Sequence, residues 1–312
     1  MRGHMLAAGL GCLIGVLSVG CASRRAGSGQ APAMGTVRDV EASARLAAEA
    51  GRFEAAVRGY AEARRAAIQA GNLRAGAVYA LWAGQWAMAA GWGDQAELWL
   101  RLAEQEAVVL GDEELAVRAL WTLARLRLDR NDLAGAQEAV ETALTWEAGW
   151  RGRPLERDLR LLRAEVALRH NEAGRARQDV AAIPRRWSSE AGTPAAAMAD
   201  EVWGGILEAE GRREEAAGRM ERAAAGWERN GRPERAVRAW ERSASLWRAK
   251  GRADRGVPAL LRAALLREAL GDRPQAFDLV REAMAWADEA GLTAWKEWAR
   301  RLDEFWSSGE KR

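Results

Sequence analysis

Ala50-Gly51-Arg52-Phe53-Glu54-Ala55-Ala56-Val57-Arg58-Gly59-Tyr60 is a turn glycine followed by a small residue and then a large apolar one, and this order returns down the chain. Counting by forties from Gly51 meets Gly91, Asn131, Asn171, Gly211, Gly251 and Gly291. All are Gly or Asn, the residues that most readily take the left-handed conformation closing a helix. Halfway between lie Gly71, Gly111, Gly152, Gly192, Gly231 and Gly271, with Gly152 and Gly192 one place out of step. The chain therefore breaks about every twenty residues into helix, turn, helix. Five places after the first set of turns stand Ala56, Ala96, Ala136, Ala176, Ala216 and Gly256, and seven places before them Ala44, Gly84, Ala124, Ala164, Gly204 and Ala244. Small residues there let helix backbones approach. Nine places after the turns come Tyr60, Leu100, Val140, Val180, Met220 and Leu260, which fall on the same helical face and fill the hairpin interior.

This small, large, small spacing resembles the tetratricopeptide repeat, whose unit is about 34 residues; the longer period here resembles the long-helix bacterial members. The resemblance spans roughly residues 37 to 307. It implies an all-α, right-handed superhelical solenoid of about seven antiparallel hairpins. A two-helix solenoid outside that family is the structural alternative. Units match loosely where Gly93, Leu133, Ala173, Arg213 and Ala253 stand for the aromatic at Phe53. Pro154, Pro194, Pro233 and Pro274 fall near first-helix starts, where a missing N–H costs little. Pro184 is expected to end a second helix, and Pro258 to delay one until after Gly256. The last helix breaks the register with Lys296, Arg300 and Asp303, and reads as a cap that lays Trp295, Trp298, Leu302 and Trp306 back on the preceding unit.

Composition agrees. Of 312 residues 49% are hydrophobic, and 47 Lys and Arg stand against 44 Asp and Glu, a net charge of +3 with both signs interspersed. Such a surface carries no basic block of the kind a nucleic acid requires. Residues 1–20 read as an export signal: Arg2, a short apolar run from Leu6 to Val19, then Ser18-Val19-Gly20 before Cys21. The run is too short for a membrane span. The segment resembles a bacterial lipoprotein signal, although Ser18 stands where leucine is usual. The resemblance implies acylation of Cys21 and, with Ala22 following, an outer-membrane anchor facing the periplasm. An ordinary signal peptide and an uncleaved anchor are the other readings. Residues 21–36, rich in Ser, Gly, Ala and Pro, read as a flexible tether, and 308–312 as a polar tail. Once Cys12 leaves with the signal, no intramolecular disulfide is possible.

Catalytic chemistry finds little purchase. His170 is the single histidine of the mature chain and sits in a turn. There is no Gly-rich phosphate loop, metal-ligand cluster or nucleophile elbow. No enzyme activity, cofactor, metal or small-molecule substrate is expected. By the resemblance, first helices line a concave groove, and the lining positions are Leu81, Trp82, Gln85, Met88, Arg118, Trp121, Arg125, Leu161 and Glu165. Tryptophan, methionine and arginine suit a protein or peptide partner. Packing of Trp82 and Trp121 between neighbouring first helices is the competing reading. Arg238, Arg242 and Arg248 form a more basic wall further on. The lysine and asparagine carboxylate clamp of chaperone-binding members is not carried over, since no asparagine stands at these positions. Most of the sixteen tryptophans read as core, with Trp146, Trp187 and Trp227 as a ladder at nearly the repeat interval. The general plan is similar to repeat lipoproteins that assist assembly of secretins, pili or β-barrel proteins. A self-associating structural envelope protein is the second expectation.

Overall fold

The computed structural model describes residues 31–146, 154–183 and 192–309. The signal, Cys21, the tether up to residue 30, Trp187 and residues 310–312 lie outside them.

Among the described residues there are fourteen α-helices and no strand. In chain order they are α1 (Ala31–Glu49), α2 (Phe53–Gln69), α3 (Leu73–Ala89), α4 (Gly93–Val109), α5 (Glu113–Asp129), α6 (Leu133–Thr145), α7 (Pro154–Arg169), α8 (Ala173–Ala181), α9 (Pro194–Ala209), α10 (Arg213–Arg229), α11 (Pro233–Ala249), α12 (Ala253–Ala269), α13 (Arg273–Glu289) and α14 (Thr293–Gly309). Most have 17 residues, so helix plus turn repeats every twenty.

One turn recurs at most of the described junctions. At its first occurrence Gly51 takes φ 69°, its N–H donates to Ala48 O at 3.0 Å, and the Arg52 N–H reaches back to Ala47 O at 2.8 Å. These paired bonds satisfy carbonyls a helix end leaves open. Asn131 (φ 61°) and Asn171 (φ 62°) make the same turn without glycine, as the short polar side chain permits. The next residue caps the following helix: the side chains of Asn72, Asp112 and Asp132 accept from the N–H of Ala75, Leu115 and Gly135.

The chain divides into two compact units, one to Val166 and one from Ala167. In the first, α1 to α6 each pack on their sequence neighbours around a core containing Tyr60, Ala96, Leu100 and Leu123. Gly84 shows why the small positions exist: a Cβ there would lie 2.8 Å from Leu100 Cδ2. In the second unit α9 to α14 stack likewise around Met220, Leu260, Leu261 and Val280. Three forty-residue periods further on, a Cβ at Gly204 would come within 2.7 Å of Met220 Cε, the same packing with the same partners in register. The fold is a helical-hairpin solenoid of the tetratricopeptide kind.

Three details differ from expectation. Helix α1 begins at Ala31, inside the stretch read as tether, and Pro32 falls in its first turn, where no intrahelical N–H is needed. Pro258 does not delay a helix: α12 starts in register at Ala253 and carries the proline inside. Only one backbone donor is lost there, while Gly256, Val257 and Leu260 are buried and hold the register. In α14, Ala299 and Trp306 are buried, with Trp306 edge-on to Phe277 at 5.6 Å, and Leu302 is partly covered. Trp295 and Trp298 instead stand 37% and 39% exposed as an edge-to-face pair, and Phe305 is 72% exposed. Lys296 pairs with Asp288 at 2.5 Å, and α14 is covered along one stripe by α13. Helix α8 closes at Ala181, and Pro184, expected to end it, lies outside the described residues.

Candidate interaction face

The first helices of unit 1 present α3, α5 and α7, the elements expected to line a groove. Leu81 and Leu161 are core residues there, 3% and 0% exposed, and are corrected from groove-lining to structural. Apolar residues recur all round α3, from Ala77 to Ala87, so the leucine at that level turns inward. Gln85 and Met88 are half-buried, and Met88 lies against the core.

Trp82 belongs to an aromatic cluster. Its ring meets Tyr60 of α2 edge-on at 5.2 Å and tilts toward Tyr79 at 5.6 Å. The Tyr79 hydroxyl donates to Glu41 Oε2 on α1 at 2.7 Å. Burial, and then this hydrogen bond to a carboxylate, push the Tyr79 phenol above its ordinary range. Burial, reinforced by Glu41, pushes the Tyr60 phenol up to about 12. Both phenols are therefore neutral at any physiological pH. Trp82 is half-buried, and its ring partners are Tyr60 on the preceding second helix and Tyr79 on its own helix, rather than a neighbouring first helix as the competing reading had it.

Trp121 is half-buried, and its indole nitrogen has no hydrogen-bond partner although enclosed. Around it the charges are paired. Arg118 donates to Glu114 at 2.6 Å on the same helix. Arg125 reaches Glu165 of α7 at 2.8 Å, both side chains nearly covered. Trp121 thus stands on α5 between Arg118 and Arg125, whose guanidinium groups are already held in place, a preorganised arrangement.

Other functional chemistry escaped the sequence. Arg127 is buried between α4, α5 and α6, giving Nη2 to Glu97 at 3.1 Å and Nη1 to Gly135 O at 2.8 Å. Burial alone would raise the Glu97 carboxyl, but hydrogen bonds from Arg127 and Arg101 outweigh it and hold the carboxyl below its ordinary value. In unit 2 the indole N–H groups of Trp227 and Trp247 donate to Glu201 and Glu221 at 2.9 and 2.8 Å, each pair 26 residues apart. Arg235 and Arg255 pair with the same two carboxylates and stack over the same two rings. This ladder runs at twenty residues; of the expected ladder of Trp146, Trp187 and Trp227, the first packs on the unit 1 core, the second lies outside the described residues and the third donates to Glu201. The basic wall is partly neutralised: Arg242 pairs with Glu208, and Arg248 pairs with Glu282 while stacking 4.5 Å from the Trp286 ring. Arg238 is exposed. His170 is exposed in its turn, and among the described residues no group of acidic, histidine or cysteine side chains is placed to hold a metal.

The repeating hairpins and shared turn define a tetratricopeptide-like helical repeat. Comparison with known proteins agrees at the level of fold. A tetratricopeptide repeat protein from Parabacteroides merdae superposes with a TM-score of 0.52 at 12% identity, over 85% of this chain and 99% of that one. A Rap protein in complex with the competence and sporulation factor superposes with a TM-score of 0.55 at 12% identity, over 91% and 100%. No family model matches the sequence, and no curated protein matches it significantly.

Proposed function

We propose that the protein is an interaction scaffold held at a bacterial outer membrane by a lipid on Cys21, its repeats facing the periplasm and gathering protein partners of an envelope assembly, secretion or pilus complex. The observation that carries the binding role is the face of Trp82, Met88 and Trp121, partly open, flanked by arginines fixed through Glu114 and Glu165. Aromatic and arginine anchors of this kind dominate protein interfaces. That a Rap protein of similar fold holds the competence and sporulation factor supports the reading by analogy. The anchor acts by concentration, confining the face to a surface where a partner arrives.

In vivo crosslinking with identification of partners tests the face. The double variant Trp82→Ala, Trp121→Ala is expected to lose them, and unchanged recovery sinks the proposal. Cys21→Ser is expected to move the protein from the membrane pellet to the soluble fraction; retention in the pellet rules out the lipid anchor. A second reading, self-association, draws on the exposed Trp295, Trp298 and Phe305. Light scattering after size exclusion distinguishes it by a concentration-dependent oligomer.

A further inference from the structure

Trp203 on α9 stands among arginines contributed by two other helices of unit 2. The guanidinium carbon of Arg177 (α8) lies 5.6 Å from its ring centroid and that of Arg219 (α10) 6.0 Å. Arg212, just ahead of α10, and Arg222 on it join them, with the Glu215 carboxylate, around an opening of about 480 Å³ that Trp203 and Leu207 also line. Trp203 belongs to a first helix, but Arg177, Arg219 and Arg222 belong to second helices, so the opening is separate from the face of Trp82 and Trp121.

The arginines are held but not used up. Arg219 and Arg222 share Oδ1 of Asp200 at 2.8 and 3.3 Å. Arg177 pairs with Glu210, and Arg212 forks onto Glu215 at 2.6 and 2.7 Å. All four arginine side chains remain between 39% and 56% exposed. Exposed pairs of this kind contribute little and exchange readily for a partner's charge, and a guanidinium has five donors. Gly218 also lines the opening, midway along α10, where glycine disfavours a helix. A Cβ built on it meets nothing within 4 Å, so its missing side chain leaves room in the opening.

We infer that this opening on unit 2 is a second docking site, taking an acidic segment of a partner protein whose side-chain carboxylates meet Arg177, Arg212, Arg219 and Arg222 while an apolar side chain between them covers Trp203. It rests on the scaffold reading only for its biological use. Each guanidinium is already set in carboxylate geometry by Asp200, Glu210 or Glu215, so the donors are presented as a carboxylate takes them, rather than as a continuous field for a phosphate backbone. Spaced guanidiniums around Trp203 and Leu207 suit carboxylates interleaved with an aliphatic residue.

The test uses the full chain and a fluorescein-labelled peptide, Asp-Glu-Leu-Glu-Asp with both ends blocked, followed by anisotropy at low and moderate salt. Saturable binding that weakens with salt is expected, with Arg219→Glu reducing affinity at least about tenfold. Gly218→Leu is expected to do the same while leaving the thermal melt unlowered, because its side chain enters open space and removes a helix glycine. Equal binding of the peptide to Gly218→Leu and to the parent overturns the inference. So does equal affinity for a Lys-Lys-Leu-Lys-Lys peptide, or tighter binding of a single-stranded oligonucleotide that Arg219→Glu abolishes. Trp82→Ala, Trp121→Ala is expected to leave the acidic peptide bound. Crosslinked partners lost only in that double variant, with no acidic-peptide binding, would sink this site and leave the scaffold standing.

Discussion

At the residue scale, some glycines inside helices, unlike Gly218, mark where another group needs the space. Gly84 and Gly256 both face a large side chain, but at different depth. A Cβ at Gly84 meets the aliphatic branch of the buried Leu100 at 2.8 Å, an overlap of a few tenths of an ångström; a Cβ at Gly256 meets the planar Trp286 ring at 2.0 and 2.2 Å, far deeper, and that ring is covered by Arg248. Gly256→Ala is therefore expected to cost about 2–3 kcal/mol and Gly84→Ala about 1 kcal/mol in urea unfolding, the deeper overlap being the costlier. Equal losses would show that Trp286 is free to move. Charge at this scale has a sign that pH reveals. Glu97, held low by Arg127 and Arg101 against its own burial, contributes stability that is present above its unfolded value and lost as pH falls through its lowered folded one. Glu104, on the same helix, is raised by burial with Arg101 offsetting only part, so its charge costs stability at neutral pH, and the cost vanishes below its unfolded value. Melts at pH 7 should show Glu97→Gln destabilised and Glu104→Gln stabilised, each difference shrinking toward pH 3; the same sign for both would refute the assignment. The small positions were legible because a hard-sphere constraint recurs in register. The carboxyl environments were not, since Arg127 reaches Glu97 from another helix, 30 residues away, with no local pattern to announce it.

At the scale of the element, most helices are bounded by the same turn and tied to others by side chains at the rim. The turns were readable: a residue at positive φ every twenty or so places names itself as Gly or Asn. Pro258 shows where the local rule gives way. One lost hydrogen bond in the second turn of α12 weighs less than the burial of Gly256, Val257, Leu260 and Leu261, which sets where the helix begins. The rim ties are what the sequence concealed, because Glu201 with Trp227 and Glu221 with Trp247 obey a spacing of 26 that belongs to the superposition of helices and to no single one. The next member substitutes the donor: Arg267 donates to Glu241 at the same spacing. Glu therefore selects any N–H donor that reaches it, and the indole is there for its donor as well as its area. A double-mutant cycle of Trp227→Phe with Glu201→Gln should give a coupling of about 0.5–1.5 kcal/mol. Zero coupling would reduce Trp227 to packing alone.

At the scale of the molecule, repetition made the fold legible and function obscure, for the same reason. A residue that recurs every forty places is explained by the stack, so any site has to be sought among those that do not recur, and for these the sequence supplies no orientation. Leu81 and Leu161 illustrate the loss: their helices were placed correctly, but which side chains faced outward depended on neighbours on several sides. The Arg and Trp opening on unit 2 went unread because its walls come from residues 177 to 222, brought together only by hairpin stacking. The same stacking predicts how damage spreads. Within each unit, helices from α1 to α6 and from α9 to α14 pack chiefly on their sequence neighbours, so stability should behave as a sum of local and nearest-neighbour contributions rather than one global quantity. Gly256→Ala disturbs α12 against α13, and native-state hydrogen exchange should register the loss there, with smaller effects on α11 and α14. Amides of α3 and α4 in the other unit should keep their protection unchanged. A uniform fall in protection across all helices would mean that the array opens all at once, and that its units are cooperative over distances the packing alone does not explain.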